Sequence, residues 1–202
     1  LTAFGEYLAS GSSDNTIRLW NISTKQEVAV FEGHTDWVRS LTTINGYLAS
    51  GSEDKTIRLW SIESRQQVAV LRGHTEGVRC LAVTEHYLVS GSKDKTIRLW
   101  NAESKEEVGV LEGHTDDVNS LITIDDYLAS ASQDTTVRLW STQTWQQIAL
   151  FEGHTDGVES LAVVKDSLVS GSKDKTVRVW SIKTRQQLAI LRGHTDNVNC
   201  LI

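Results

Sequence analysis

Apolar positions along the chain alternate with polar ones over short stretches, and the stretches are separated by turn residues. In WVRSLTTI (37–44), Val38, Leu41 and Ile44 stand among polar neighbours, the pattern of a half-buried strand. Asn45-Gly46 follows, a dipeptide suited to a two-residue hairpin whose positions both need positive φ. YLASGS (47–52) is a run of small residues. Glu53-Asp54-Lys55 reads as a tight turn closed by Ser52 and Thr56. TIRLWSI (56–62) is β-branched and aromatic, and QVAVL (67–71) makes a fourth strand. No segment carries a helix-length period, so the chain is expected to be all-β.

The pattern recurs every forty residues without an insertion. LASGSSDNTIRLW (8–20) returns as LASGSEDKTIRLW (48–60), LVSGSKDKTIRLW (88–100), LASASQDTTVRLW (128–140) and LVSGSKDKTVRVW (168–180). GHTDWV (33–38) returns as GHTEGV, GHTDDV, GHTDGV and GHTDNV at 73, 113, 153 and 193. Units start near 1, 41, 81, 121 and 161, which leaves no linker and makes 1–202 one repeat domain or a segment of one. Four strands per unit is the pattern of a propeller blade. The set GH, SGSxD and TIRLW at this spacing resembles the WD-repeat β-propeller family over the whole chain. The resemblance implies a β-propeller of four-stranded antiparallel blades, with five blades' worth of sequence. One departure stands out: Trp20, Trp60, Trp100, Trp140 and Trp180 are followed by Asn or Ser, never Asp. Both types cap a turn through a side-chain oxygen.

Histidine, serine and aspartate in every unit invite a hydrolase reading, since a nucleophilic serine needs a base and an acid to orient that base. Five copies of an active site in a chain this short, with no GxSxG elbow, argue against it. The resemblance implies instead a buried hydrogen-bonded tetrad in each blade. The sets are His34, Ser50, Asp54 and Trp60; His74, Ser90, Asp94 and Trp100; His114, Ser130, Asp134 and Trp140; and His154, Ser170, Asp174 and Trp180. Whether the serine is Ser50 or Ser52, and so on along the chain, stays open. A fifth set is split between the ends, His194 on one side and Ser10, Asp14 and Trp20 on the other, and it completes itself if the ends meet. Zinc is not expected, because the loop histidines have no close Cys or His companion, and no cofactor is expected. Cys80 and Cys200 alternate with Ser40, Ser120 and Ser160 at one strand position, which predicts a small buried site. The recurrent Arg18, Arg58, Arg98, Arg138 and Arg178 are expected to cover apolar surface with their stems. His86 is expected in solvent.

Five closed blades need roughly 72° each, whereas the family this resembles usually closes at seven, roughly 51° each. Five blades of a larger propeller are therefore expected, and the absence of Met even at position 1 points the same way. Closure at five stays open. The net charge of −6 argues against nucleic acid, and neither a leader nor a membrane-length apolar run is visible, so a cytoplasmic (intracellular) protein is expected.

Function is expected where units differ while facing solvent. By resemblance three positions ring the narrow face: the one before the clamp valine, the one after it, and the one before the turn aspartate. They bring up Trp37, Arg39, Arg79, Glu53, Lys93, Asn119, Glu159 and Lys173. Trp and Arg are frequent hot spots, and paired arginines suit an acidic or phosphorylated peptide. Trp37, Arg39 and Arg79 are the expected anchor, with Trp145 on the opposite rim as a weaker candidate. The expected function is a non-catalytic protein- or peptide-binding scaffold. The alternative is a self-assembling repeat array that associates through its terminal blades.

Overall fold

The computed structural model describes residues 1–201 and contains five four-stranded antiparallel sheets, each a simple meander. The first holds β1 (Thr2–Phe4), β2 (Tyr7–Gly11), β3 (Ile17–Asn21) and β4 (Gln26–Phe31). The second holds β5 (Val38–Ile44), β6 (Tyr47–Ser52), β7 (Ile57–Ser61) and β8 (Gln67–Leu71). The third holds β9 (Val78–Val83), β10 (Tyr87–Ser92), β11 (Ile97–Asn101) and β12 (Glu107–Leu111). The fourth holds β13 (Val118–Ile124), β14 (Tyr127–Ser132), β15 (Val137–Ser141) and β16 (Gln147–Phe151). The fifth holds β17 (Val158–Val164), β18 (Ser167–Ser172), β19 (Val177–Ser181) and β20 (Gln187–Leu191). The chain forms two compact units, Leu1–Val110 with the first three sheets and a second from Leu111 onward with the other two.

Turn chemistry sets the registers. Asn45 and Gly46 have φ of 48° and 78°, so β5 and β6 meet in a two-residue hairpin with Ile44 opposite Tyr47. The next turn contains a residue that composition does not announce. Lys55 has φ 71°, as Asn15, Lys95, Thr135 and Lys175 have similar positive values. A left-handed lysine is tolerated because the Asp54 carboxylate holds the turn from inside, accepting from the Thr56 backbone N–H at 2.9 Å and its hydroxyl at 2.6 Å.

The core lies between adjacent sheets within each unit. Leu48, Ile57 and Leu59 are at most 1% exposed, and so are Ala49 and Ser50, which face opposite sides of β6. Both faces of the middle strands are covered, which is why YLASGS is made of small residues. At Gly51 the approach is closest: a Cβ there would lie 2.7 Å from Cγ1 of Val78 on the next sheet. Phe31 packs on Trp60 with ring centroids 5.4 Å apart, and Phe151 on Trp180 at 5.3 Å, so β4 and β16 each seal the tryptophan of the following sheet.

A polar tie also links neighbouring first strands. The Leu81 backbone N–H donates to Ser40 Oγ at 3.1 Å, Leu161 N–H to Ser120 Oγ at 3.2 Å and Leu201 N–H to Ser160 Oγ at 2.9 Å. The small buried site expected at this position therefore has a purpose, to satisfy a backbone donor of the next sheet. Cys80 at the same position is buried and its thiol is pushed up to about 12 by that burial. Cys200 is the exception: it is exposed, contrary to expectation, because residues 197–201 pair with no second strand. Replacing Ser40→Ala leaves the Leu81 N–H without its acceptor. The expected loss is about 1–3 kcal/mol in urea unfolding with an unchanged m-value; a loss below about 0.5 kcal/mol contradicts the tie.

Candidate functional site

Four clamps are assembled alike. In the second sheet His34 places Nδ1 2.7 Å from Asp54 Oδ2 and Nε2 2.7 Å from Ser50 Oγ, and Trp60 Nε1–H donates to the same Ser50 oxygen at 2.9 Å. His74, Ser90, Asp94 and Trp100 repeat these contacts, as do the sets of His114 and His154, all within 2.7–2.9 Å. Donors and acceptors match with each imidazole protonated on Nδ1: the indole donates to the serine, the serine to Nε2, and Nδ1–H to the carboxylate. The clamp serine is Ser50, not Ser52. Ser52 serves the turn instead, accepting from Asp54 N–H at 3.0 Å and donating to the Asp36 carbonyl at 2.8 Å. In the fifth set Trp20 donates to Ser10 at 2.9 Å and Asp14 accepts from Thr16, while His194 is exposed.

The distances are those of a Ser–His–Asp triad, but access is not. Ser50, Ser90, Ser130 and Ser170 are 0% exposed, and each hydroxyl already takes an indole N–H, so no acyl group can reach the oxygen. What the group does is satisfy four buried polar side chains at once and tie the loop, the second strand, the turn and the third strand together.

Charge follows from this wiring. Burial pushes the Asp54 carboxyl up, but hydrogen bonds from His34 and Thr56 and from the Thr35 backbone N–H outweigh it and hold it far below the usual carboxylate range. Asp94 and Asp134 behave alike, and Asp174 is held down to about 2 against the same burial, by Thr176 and His154. Burial holds His154 below the ordinary imidazole value, outweighing the pull of Asp174.

The arginines of the third strands do not form a free basic ring. Arg18 and Arg98 donate to Glu27 and Glu107, and Arg58, Arg138 and Arg178 to Gln67, Gln147 and Gln187. Gly33 leaves room for this: a Cβ there would lie 2.7 Å from Arg58 Nη1 and 3.2 Å from the Trp60 ring. The Arg58 head and the Trp60 ring thus both lie against the Gly33 backbone.

The eight rim residues gather in two groups, one in each unit. In the first, Glu53 receives Arg39 Nε at 2.8 Å, Lys93 Nζ at 2.8 Å and Arg79 Nη1 at 3.8 Å. Burial raises the Glu53 carboxyl, yet the bonds from Lys93 and Arg39 hold it below its ordinary value. The Arg39 guanidinium lies 4.6 Å from the Trp37 ring centroid, and Trp37 is 45% exposed. In the second group Glu159 receives Asn119 Nδ2 at 3.2 Å and Lys173 Nζ at 3.1 Å, and Lys173 also donates to Gln133 at 2.6 Å. One acid here meets one base, whereas Glu53 meets three cations. Sequence reasoning placed Glu53 among the residues facing a partner; its carboxylate is taken by the chain's own cations. Gly77, which lies against it, was not singled out, and the signal was the glycine itself at a position shared with Gly157, where the remaining units carry Trp, Asp or Asn. Trp145 is half-buried with φ 57°, in the left-handed turn shared with Lys25, Arg65, Lys105 and Arg185. His86 is 71% exposed at its side chain. No helix of the described residues is long and apolar enough to cross a membrane.

Sheets of this pattern carrying a Trp–Ser–His–Asp clamp define a WD-repeat protein, and the chain belongs to that family. The family model for the WD domain, G-beta repeat, matches residues 2–21, 25–61, 65–101, 105–141 and 145–181. Among curated relatives it is 43% identical over 37 residues to the nuclear distribution protein PAC1-2 of Postia placenta, a match covering 18% of this chain and 9% of the relative. It is 50% identical over 38 residues to a Lissencephaly-1 homolog of Glossina morsitans morsitans, 19% of this chain and 9% of the relative. It is 47% identical over 36 residues to the probable serine/threonine-protein kinase PkwA of Thermomonospora curvata, 18% of this chain and 5% of the relative. The chain thus spans less than a tenth of the length of each of these relatives in the match.

Two outcomes are expected. His34→Ala leaves the Asp54 carboxylate, 4% exposed, and the Ser50 hydroxyl without their partner. A loss of about 3–5 kcal/mol in chemical unfolding is expected, and a loss under about 1 kcal/mol contradicts the clamp. Acid acts on all the clamps. The folded chain binds fewer protons than the unfolded one, whose aspartates titrate near about 3.9 and histidines near about 6.5. Stability is therefore full at neutral pH. It falls modestly as pH drops below about 6.5, through His154, and steeply from about pH 4 toward the value of about 2 held by Asp174. Denaturant midpoints that do not change between pH 7 and 3 contradict this.

Proposed function

We propose that the chain is a non-catalytic interaction scaffold and that an acidic or phosphorylated segment of a partner protein docks on Trp37, Arg39 and Arg79. One observation carries the reading: two sheets bring Arg39, Arg79, Lys93 and a half-exposed tryptophan to one patch around Glu53. Arginine beside an exposed aromatic offers both a charged, hydrogen-bonding anchor and apolar contact area. The second group, where Lys173 meets Glu159, offers an incoming anion much less. The family membership supports the scaffold reading, and the buried serine hydroxyls leave the clamps no substrate to act on. A second reading, association with a further copy, is favoured by Leu188 and Leu191 on β20. These are 59% and 53% exposed, whereas Leu71 and Phe151, at Leu191's position in their own sheets, are 4% and 3% exposed.

The test is affinity capture from lysate, with and without phosphatase treatment, comparing the chain with an Arg39→Ala, Arg79→Ala, Trp37→Ala variant matched for folding. Proteins bound by the first and lost from the second, and weakened by phosphatase or by added salt, are expected. Identical profiles reject the patch. A native mass above one chain in the same preparations supports self-association.

A further inference from the structure

We infer that the Glu53 carboxylate is a resident ligand of this patch, sitting in the seat that a partner's oxyanion takes and keeping the site weak until it is displaced. The inference rests on the reading of Trp37, Arg39 and Arg79 as a docking surface. The recognition geometry is supplied by the chain itself: Arg39 from β5, Arg79 from β9 and Lys93 from the turn after β10 converge on one carboxylate. The occupant and its holders differ in exposure. The Glu53 side chain is 9% exposed, while those of Arg39, Arg79 and Lys93 are 33%, 29% and 32% exposed. The cations present themselves to solvent with the acid tucked among them.

The seat is made by a missing side chain. A Cβ at Gly77 would lie 2.2 Å from Glu53 Oε2. Between the fourth and fifth sheets the same arrangement recurs with a neutral occupant: Gln133 lies over Gly157, where a Cβ would be 2.4 Å from its Nε2. The chain therefore shows that glutamine fits a seat of this shape, and that an acid in the first seat is not a demand of folding. A carboxylate a few ångströms from the cations opposes an incoming anion by direct repulsion. It also occupies the donors, so that a ligand binds only in the fraction of molecules whose seat is vacated. The ligand class is an oxyanion on a protein side chain, a phosphate ester or a carboxylate.

Heteronuclear NMR on the full chain at low salt reads this through the Arg39 Nε–H and Trp37 indole signals. Inorganic phosphate and acetate are titrated separately, to separate the two sources of the oxyanion. Glu53→Gln removes the resident charge and copies the Gln133 seat. Gly77→Ala keeps the charge and evicts the carboxylate, whose flexible end can swing away. Phosphate is expected to shift both signals, with the apparent Kd falling about tenfold or more in Glu53→Gln and falling also in Gly77→Ala. Unchanged or weaker binding in Glu53→Gln makes Glu53 a strut and overturns the inference. Tightening in Glu53→Gln alone reduces it to a general charge effect and overturns the occupancy. No shift with either anion in any of the three proteins rejects the cradle itself. If affinity capture still depends on Trp37, Arg39 and Arg79 while Glu53→Gln changes nothing, the docking surface stands and only the resident-ligand inference falls.

Discussion

The hydrogen-bond relay from tryptophan through serine and histidine to aspartate is the constraint on which each sheet depends. Strand pairing alone leaves a meander of four short strands free to splay at the end where its loops gather. The relay joins a loop, the second strand, a turn and the third strand through side chains that are almost wholly buried. Burial raises the cost of any broken link, because a donor or acceptor left without a partner there has no water to turn to. The aspartate then does a second job: its other oxygen fixes the turn through Thr56, which is what lets Lys55 hold a left-handed conformation.

The same economy governs the interfaces between sheets. Trp60 and Trp180 are sealed by Phe31 and Phe151 from the fourth strand of the sheet before. Serine at the start of one first strand accepts a backbone N–H from the next. These contacts reuse identical positions in successive units, so the repeated residues are committed to structure. The positions that differ between units lie elsewhere, and on the rim of the second and third sheets they bring Arg39, Arg79 and Lys93 around Glu53.

Much of this is legible in the order of residues alone. The strands from 38 to 71 follow from alternation and turn residues, and the membership of the clamps follows from their recurrence and the family resemblance. The choice between Ser50 and Ser52 is not legible there. Both are small, both lie on the same side of β6 and both are buried, and only their position along the strand relative to the His34 loop and the turn separates them. Glu53 is legible as a rim residue but not as a residue spent internally, since its partners Arg79 and Lys93 lie on the next sheet.

The sequence by itself determined the all-β unit, its four strands and its hairpin, which depend on alternation and turn propensity within a few residues and are reinforced by five copies; the residue types of the clamp came from their recurrence and from the family resemblance. Tertiary structure decided which serine closes the relay, why Ser40 is polar, and where the Glu53 carboxylate goes. Each of those outcomes turns on which distant loop or neighbouring-sheet atoms lie beside a residue, some forty residues away in the case of the Ser40 tie, and local pattern holds no record of that distance.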